Sequence, residues 1–168
     1  MQQMKQMQQM SPTQCMTLSF FHLFTGCDTV SAFRGKKTAW ETWKSFPEVN
    51  DAFSELLCMP SEVSERSMLL LERFVVLMYD RTSESMVVND ARKQLFAQKS
   101  RNLENFPPTQ TALKQHIKRT CYQANCWNQI LAKNPEMPEP SDLGWTNETT
   151  GWQPLWITLP EASKLCHE

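Results

Sequence analysis

The sequence predicts a mainly α-helical domain closed by a small aromatic hairpin or packed loop. Three observations carry that expectation. Apolar residues recur at three- and four-residue spacing through most of residues 17–133, prolines and capping residues punctuate those runs, and beyond residue 134 the periodicity gives way to Pro- and Trp-rich sequence. A length of 168 residues is one domain's worth of chain, enough to bury a substantial core.

The elements follow in order. Residues 1–16 read as a low-complexity Gln/Met leader, expected to be disordered, because Met1, Met4, Met7 and Met10 recur every third residue and drift around a helix. The helical domain is expected over 17–133. "TLSFFHLF" is an apolar segment ending at Gly26. "KTAWETWKSF" sets Ala39, Trp40, Trp43 and Phe46 near one face until Pro47 breaks the run. Pro47 suits the first turn of a helix burying Val49, Phe53, Leu56 and Leu57, which Pro60 stops. Ser64 can cap "ERSMLLLERFVVLMYD", apolar over so much of its surface that it should be the central element. Asn89 can cap "DARKQLFAQKS", with Ala91, Leu95 and Phe96 inward. After Pro107-Pro108, Thr109 opens the clearest helix, stepping through Leu113, Ile117, Cys121, Ala124, Trp127 and Leu131. A Pro/Trp-rich segment over 134–168 completes the chain. "NPEMPEPSD" ends helix, "LGWTNETTGWQPLWITL" suggests the hairpin, and Thr158-Leu159-Pro160-Glu161 is a capping-box signature for a last helix. Trp145, Trp152 and Trp156 are expected to cover the core rather than stack on a ligand.

Composition narrows the function classes. A formal charge of −1 gives no long-range attraction to nucleic acid or anionic lipid, so such binding would need a local patch. Arg34, Lys36, Lys37 and Lys44 form one candidate; Arg92, Lys93, Lys99, Arg101, Lys114, Lys118 and Arg119 fall in two later runs. Six cysteines without a C-x-x-C pair, and a start unlike a secretory leader, suggest reduced thiols in an intracellular protein, cytoplasmic or nuclear. The longest apolar runs, Met68–Leu71 and Phe74–Tyr79, are too short to span a bilayer, so no membrane partner is expected. Asn147-Glu148-Thr149 matches a glycosylation acceptor, read as chance without a secretory route.

Catalytic signals are sparse. His22, His116 and His167 have no nucleophile elbow or cysteine motif nearby. On one helix Cys121 and Cys126 would point about 140° apart and struggle to share a zinc ion. Asp28 stands out because Gly35, Lys36 and Lys37 follow it, just ahead of a helix. Backbone N–H groups and the positive helix end could face a phosphate there, with Gly35 leaving room and two lysines adding charge. A surface turn with solvated lysines is the competing reading of the same residues.

"FHLFTGCDTVSAF" with "GKKTAW" resembles the corresponding stretch of a large, mostly uncharacterised animal family found in fish and invertebrates. That family is often transposon-associated, and its full-length members resemble PIN-like nucleases of the flap-endonuclease type. The similarity runs from about Phe20 through "ERFVVLMYDR", "ARKQLFAQK", "PPTQTALKQHIKR" and "GWQPLWITLPEASK". It implies Asp28 as a metal-binding aspartate of a Gly-x-Asp turn, and Gly35, Lys36 and Lys37 as the turn that grips duplex phosphates.

Two departures weigh against activity. Relatives read "GKGKKTAW" where this chain has "GKKTAW", and residues 1–27 contain no Asp or Glu, although a two-metal phosphodiesterase needs several carboxylates. The resemblance therefore implies an N-terminally truncated, catalytically inactive helical remnant lacking the parallel sheet of the α/β nuclease fold. It would bind nucleic acid weakly and need no cofactor, with Mg or Mn entering only if a second chain completed the site. The alternative is a helical protein-interaction module, with a protein partner or self-association and no nucleic-acid role.

Overall fold

The computed structural model describes residues 10–27, 33–58, 63–97, 105–136 and 138–156. Among these the chain is mainly helical, with six α-helices and one two-stranded antiparallel sheet.

Helix α1 (Pro12–Phe24) starts earlier than the apolar pattern does. Ser11 Oγ accepts from the Gln14 N–H at 3.2 Å while Gln14 Oε1 accepts from the Ser11 N–H at 3.1 Å, and Pro12 fills the first turn. That reciprocal cap corrects the leader boundary: residues 12–16 are helical, and 1–9 lie outside the described residues. Four further helices follow, α2 (Lys36–Ser45), α3 (Val49–Cys58), α4 (Glu65–Tyr79) and α5 (Val88–Ala97), and then the long α6 (Gln110–Asn128). Ser64 and Thr109 cap α4 and α6 as their sequence positions predict, accepting from Ser67 N–H at 3.1 Å and Ala112 N–H at 3.2 Å.

α4 is central, packing against α2, α3 and α5, while α6 closes the bundle against α1 and α3. The core between them is aromatic. Phe53 lies 5.3 Å from Phe20, 5.8 Å from Phe24 and 5.9 Å from Phe74 between ring centres, and Phe21 stacks on Trp43 at 4.2 Å. Buried Asn50 ties three elements together. Its Oδ1 accepts from Thr17 Oγ1 at 2.6 Å and Trp43 Nε1 at 3.0 Å, and its Nδ2 donates to the Pro47 carbonyl at 2.7 Å. Every polar atom of that side chain is thereby used, the condition for burying an amide cheaply.

Two helix starts are capped across the fold rather than locally. α5 begins at Val88, so Asn89 is not its cap: the Val88 N–H donates to Glu72 Oε2 on α4 at 2.8 Å. Asn89 Oδ1 instead accepts from the Gln110 N–H at 3.0 Å, opening α6, and Glu72 Oε1 accepts from Gln110 Nε2 at 2.6 Å. The fully buried Glu72 thus knots α4, α5 and α6. Three further expectations need correction. Phe96 is 76% exposed because α5 presents only Val88, Ala91 and Leu95 to α4; α6 ends at Asn128, leaving Leu131 outside it and solvated; and Trp127 is only partly covered.

The hairpin forms as read, β1 (Trp145–Glu148) pairing with β2 (Gly151–Pro154) so that Trp145 faces Pro154 and Glu148 faces Gly151. It docks on α6 through Gly144, whose φ of +83° suits glycine and whose Cβ, if present, would meet the Gln115 carbonyl oxygen at 2.6 Å. Trp145 is half-buried, but Trp152 and Trp156 are largely exposed, so they do not cover the core. A two-stranded ribbon has too little surface to bury three indoles. The capping box at Thr158 and the helix expected after it lie outside the described residues.

Candidate nucleic-acid interface

The corner singled out by the sequence begins where α1 ends. Thr25 closes the helix, its N–H and Oγ1 both donating to the Phe21 carbonyl, at 3.0 Å and 2.7 Å. Gly26 then turns the chain at φ +108°, a conformation open to glycine and strained for other residues. Asp28, the candidate metal ligand, lies outside the described residues. The chain is described again from Phe33, which packs on His116 with ring centres 4.3 Å apart.

Gly35 precedes α2 with φ −58°, which any residue adopts, so its contribution is space: a Cβ there would meet nothing within 4 Å. Glycine brings no side chain to cap this helix start, and none caps it among the described residues. Lys36 and Lys37 then part company. Lys36 Nζ turns back to α1, donating to the His22 carbonyl at 3.0 Å and Thr25 Oγ1 at 3.1 Å, and lies 3.3 Å from His22 Nδ1. An ammonium at a helix C-terminus complements the negative dipole end, and its desolvation pulls the Lys36 pKa below the ordinary lysine value. It is a cap for α1, which corrects its reading as a phosphate grip. Lys37 remains exposed and, among the described residues, makes no hydrogen bond or ion pair.

The other basic residues are similarly sorted by the fold. Arg34 lies over Tyr79 at 5.0 Å and donates to Asn105 Oδ1 at 3.0 Å; Lys44 lies over Trp40 at 5.6 Å. Arg119 is 2% exposed and donates from Nη1 to the Leu155 carbonyl at 2.7 Å and the Gly144 carbonyl at 3.2 Å, so it holds the hairpin rather than joining a surface patch. Lys114 and Lys118 line a concavity of about 600 Å³ together with apolar Ile117, Met68 and Leu143 and acidic Glu65 and Asp142.

Burial also sets the chemistry of two titratable groups on α6. His116 Nε2–H donates to the Phe24 carbonyl at 2.8 Å, and burial pushes its pKa down to about 4, leaving a neutral imidazole at pH 7. Burial pushes Cys121 up to about 12, far from a reactive thiolate. Among the described residues no group of three His, Cys, Asp or Glu side chains could hold a metal ion, and no helix is long and apolar enough to cross a membrane. Sequence reasoning missed Asn50 and Glu72, buried polar residues whose spacing gives no signal, and the aromatic cleft around Arg119, whose walls come from segments far apart in sequence.

No protein-family profile, curated protein or solved structure matches this chain.

Proposed function

We propose that this chain is a helical domain that binds the phosphate backbone of nucleic acid weakly and, by itself, does not cleave it. The observation that carries this reading is the start of α2: open space at Gly35, first-turn N–H groups that no described side chain caps, and the exposed side chain of Lys37. The resemblance of this stretch to the phosphate-gripping turn of PIN-like, flap-endonuclease-type proteins supports it. With Lys36 committed to α1, one lysine rather than two faces the ligand, which is why the binding is weak. Fluorescence anisotropy with a labelled 20-base-pair duplex tests the reading. Affinity should fall log-linearly with salt, and Lys37→Ala should weaken binding and reduce the slope by about 1, whereas Lys44→Ala should leave both unchanged. Salt-insensitive binding, or a Lys37→Ala variant that binds like the parent, would sink the proposal. Mg- or Mn-dependent cleavage by the isolated chain would overturn its second half.

A protein-interaction role is the second reading, favoured by Ile130 and Leu131, which stand 77% and 94% exposed just beyond α6. It predicts self-association or a protein partner that survives Lys37→Ala and is lost in Ile130→Ser/Leu131→Ser.

A further inference from the structure

A second concavity lies on the far side of His116 from the core, with a volume of about 280 Å³. Its walls are Phe33, Tyr79, Phe106 and Trp156, and His116 and Arg119 reach it from α6. Four aromatic faces around one space are costly to leave to water, and none of its described lining residues is acidic.

The Arg119 guanidinium lines it, and those of Arg34 and Arg92 lie beside its lining residues. Arg119 lies 5.1 Å from the Trp156 ring, Arg34 lies 5.0 Å from the Tyr79 ring, and Arg92 donates from Nη1 to the carbonyl of Pro107, next to lining residue Phe106. Among the described residues each donates through Nη1 to neutral oxygens: Arg34 to the Asn105 amide, Arg92 to Pro107, Arg119 to Gly144 and Leu155. Among the described residues none of the three pairs with a carboxylate, whereas exposed Arg66 and Arg81 pair with Asp51 and Glu41. Arg119 is nearly buried with no carboxylate partner among the described residues, and desolvating a charge is costly unless an opposite charge joins it. The field reaches the lining itself, since Arg34 and Arg92 both oppose the rise that burial imposes on the Tyr79 pKa. His116 adds no charge at neutral pH, so the guanidiniums alone set the sign.

We infer that this cleft binds a nucleoside monophosphate, with its planar base stacked among Trp156, Phe33 and Phe106 and its phosphate taken by the guanidinium of Arg119 with those of Arg34 and Arg92 beside it. The volume suits one base with part of its sugar, and planar guanidinium forks match phosphate oxygens in a way lysine does not. This site is separate from the start of α2 and does not rest on the backbone-binding reading.

Titration of the intact chain with AMP, adenosine and inorganic phosphate, followed by calorimetry and tryptophan fluorescence, tests it. AMP should bind saturably, at least tenfold more tightly than adenosine or phosphate, and quench the emission contributed by Trp156. Trp156→Leu and Arg92→Gln, both at positions outside the helical core, should each weaken AMP at least tenfold while keeping the parental melting temperature, and Lys37→Ala should change nothing. No saturation at millimolar AMP overturns the inference. So does AMP binding that is indifferent to Trp156→Leu and Arg92→Gln, or lost in Lys37→Ala. Phosphate binding as tightly as AMP would remove the planar group from the ligand and overturn it equally.

Discussion

Two tryptophan-bearing regions of this molecule have opposite fates. In α2, Trp43 is fully buried, stacked on Phe21, and its Nε1 donates to Asn50. In the hairpin region, Trp152 and Trp156 are only partly covered, Trp156 lying under Arg119 at the cleft, and at the seam with α6 both Trp145 Nε1 and Gln115 Oε1 are buried without a hydrogen-bond partner among the described residues. The difference is one of available surface. α2 lies against α1 and α4 and can enclose an indole on all sides, whereas the hairpin touches the body along one edge, through Gly144, Leu155 and Arg119. Trp40 Nε1 in α2 is likewise buried without a hydrogen-bond partner among the described residues, so what separates the two regions is how far the rings are enclosed, not whether every polar atom is paired.

The largest test of that contrast is Trp43→Ala, which opens a cavity beside Phe21 and Phe53 and removes a donor from buried Asn50. It should cost about 3–5 kcal/mol in urea unfolding, enough to unfold a marginal domain. A loss under about 1 kcal/mol would mean that α2 is no better packed than the hairpin.

Next comes pH. His116 sits at the junction of core and cleft, with its pKa depressed by burial from 6.5 to about 4. The unfolded chain takes up a proton below its ordinary value that the folded chain refuses. The stabilisation is therefore fully present above pH 6.5 and is lost as pH falls towards 4, on the order of 3 kcal/mol in total. Urea melts at pH 7, 6 and 5 should show this slope, and His116→Gln should flatten it. An unchanged slope in the variant would assign the loss to other groups.

The smallest effect falls on the hairpin side. Gly144→Ala forces a side chain into a left-handed backbone and against the Gln115 carbonyl, and should cost about 1–3 kcal/mol. Because only the hairpin seam is disturbed, near-UV circular dichroism should change while the far-UV helical signal persists. Loss of both together would show that the hairpin and the helices unfold as one unit.

Much of the architecture was legible in the residues, and the reasons are local. Ser64 and Thr109 capped the helices they precede because an Ncap oxygen reaches only its own first turn. The hairpin was legible because turn residues and alternating aromatics act over four residues. The α1 start at Pro12 was hidden by polar, Gln-rich surroundings, although Ser11 and Gln14 carried the capping box. At the candidate site, the openness of Gly35 and the exposure of Lys37 agreed with the sequence reading, while Lys36 and Arg119 were indistinguishable in sequence from solvated cations. Their roles depend on carbonyls in α1 and in the hairpin, up to 36 residues away.

The sequence by itself determined most of the helical segments, where the two strongest caps lie and that any attraction for anions must come from a local patch, since each follows from periodicity, short-range hydrogen bonding or summed charge. Only the tertiary structure decided that Glu72 and Asn89 cap helices other than those they adjoin, that Lys36 and Arg119 each donate to distant backbone carbonyls, and that aromatic side chains and Arg119 from distant segments share one cleft. The physical reason is that a buried polar atom must find a partner wherever the fold brings one, and sequence distance does not constrain which it finds.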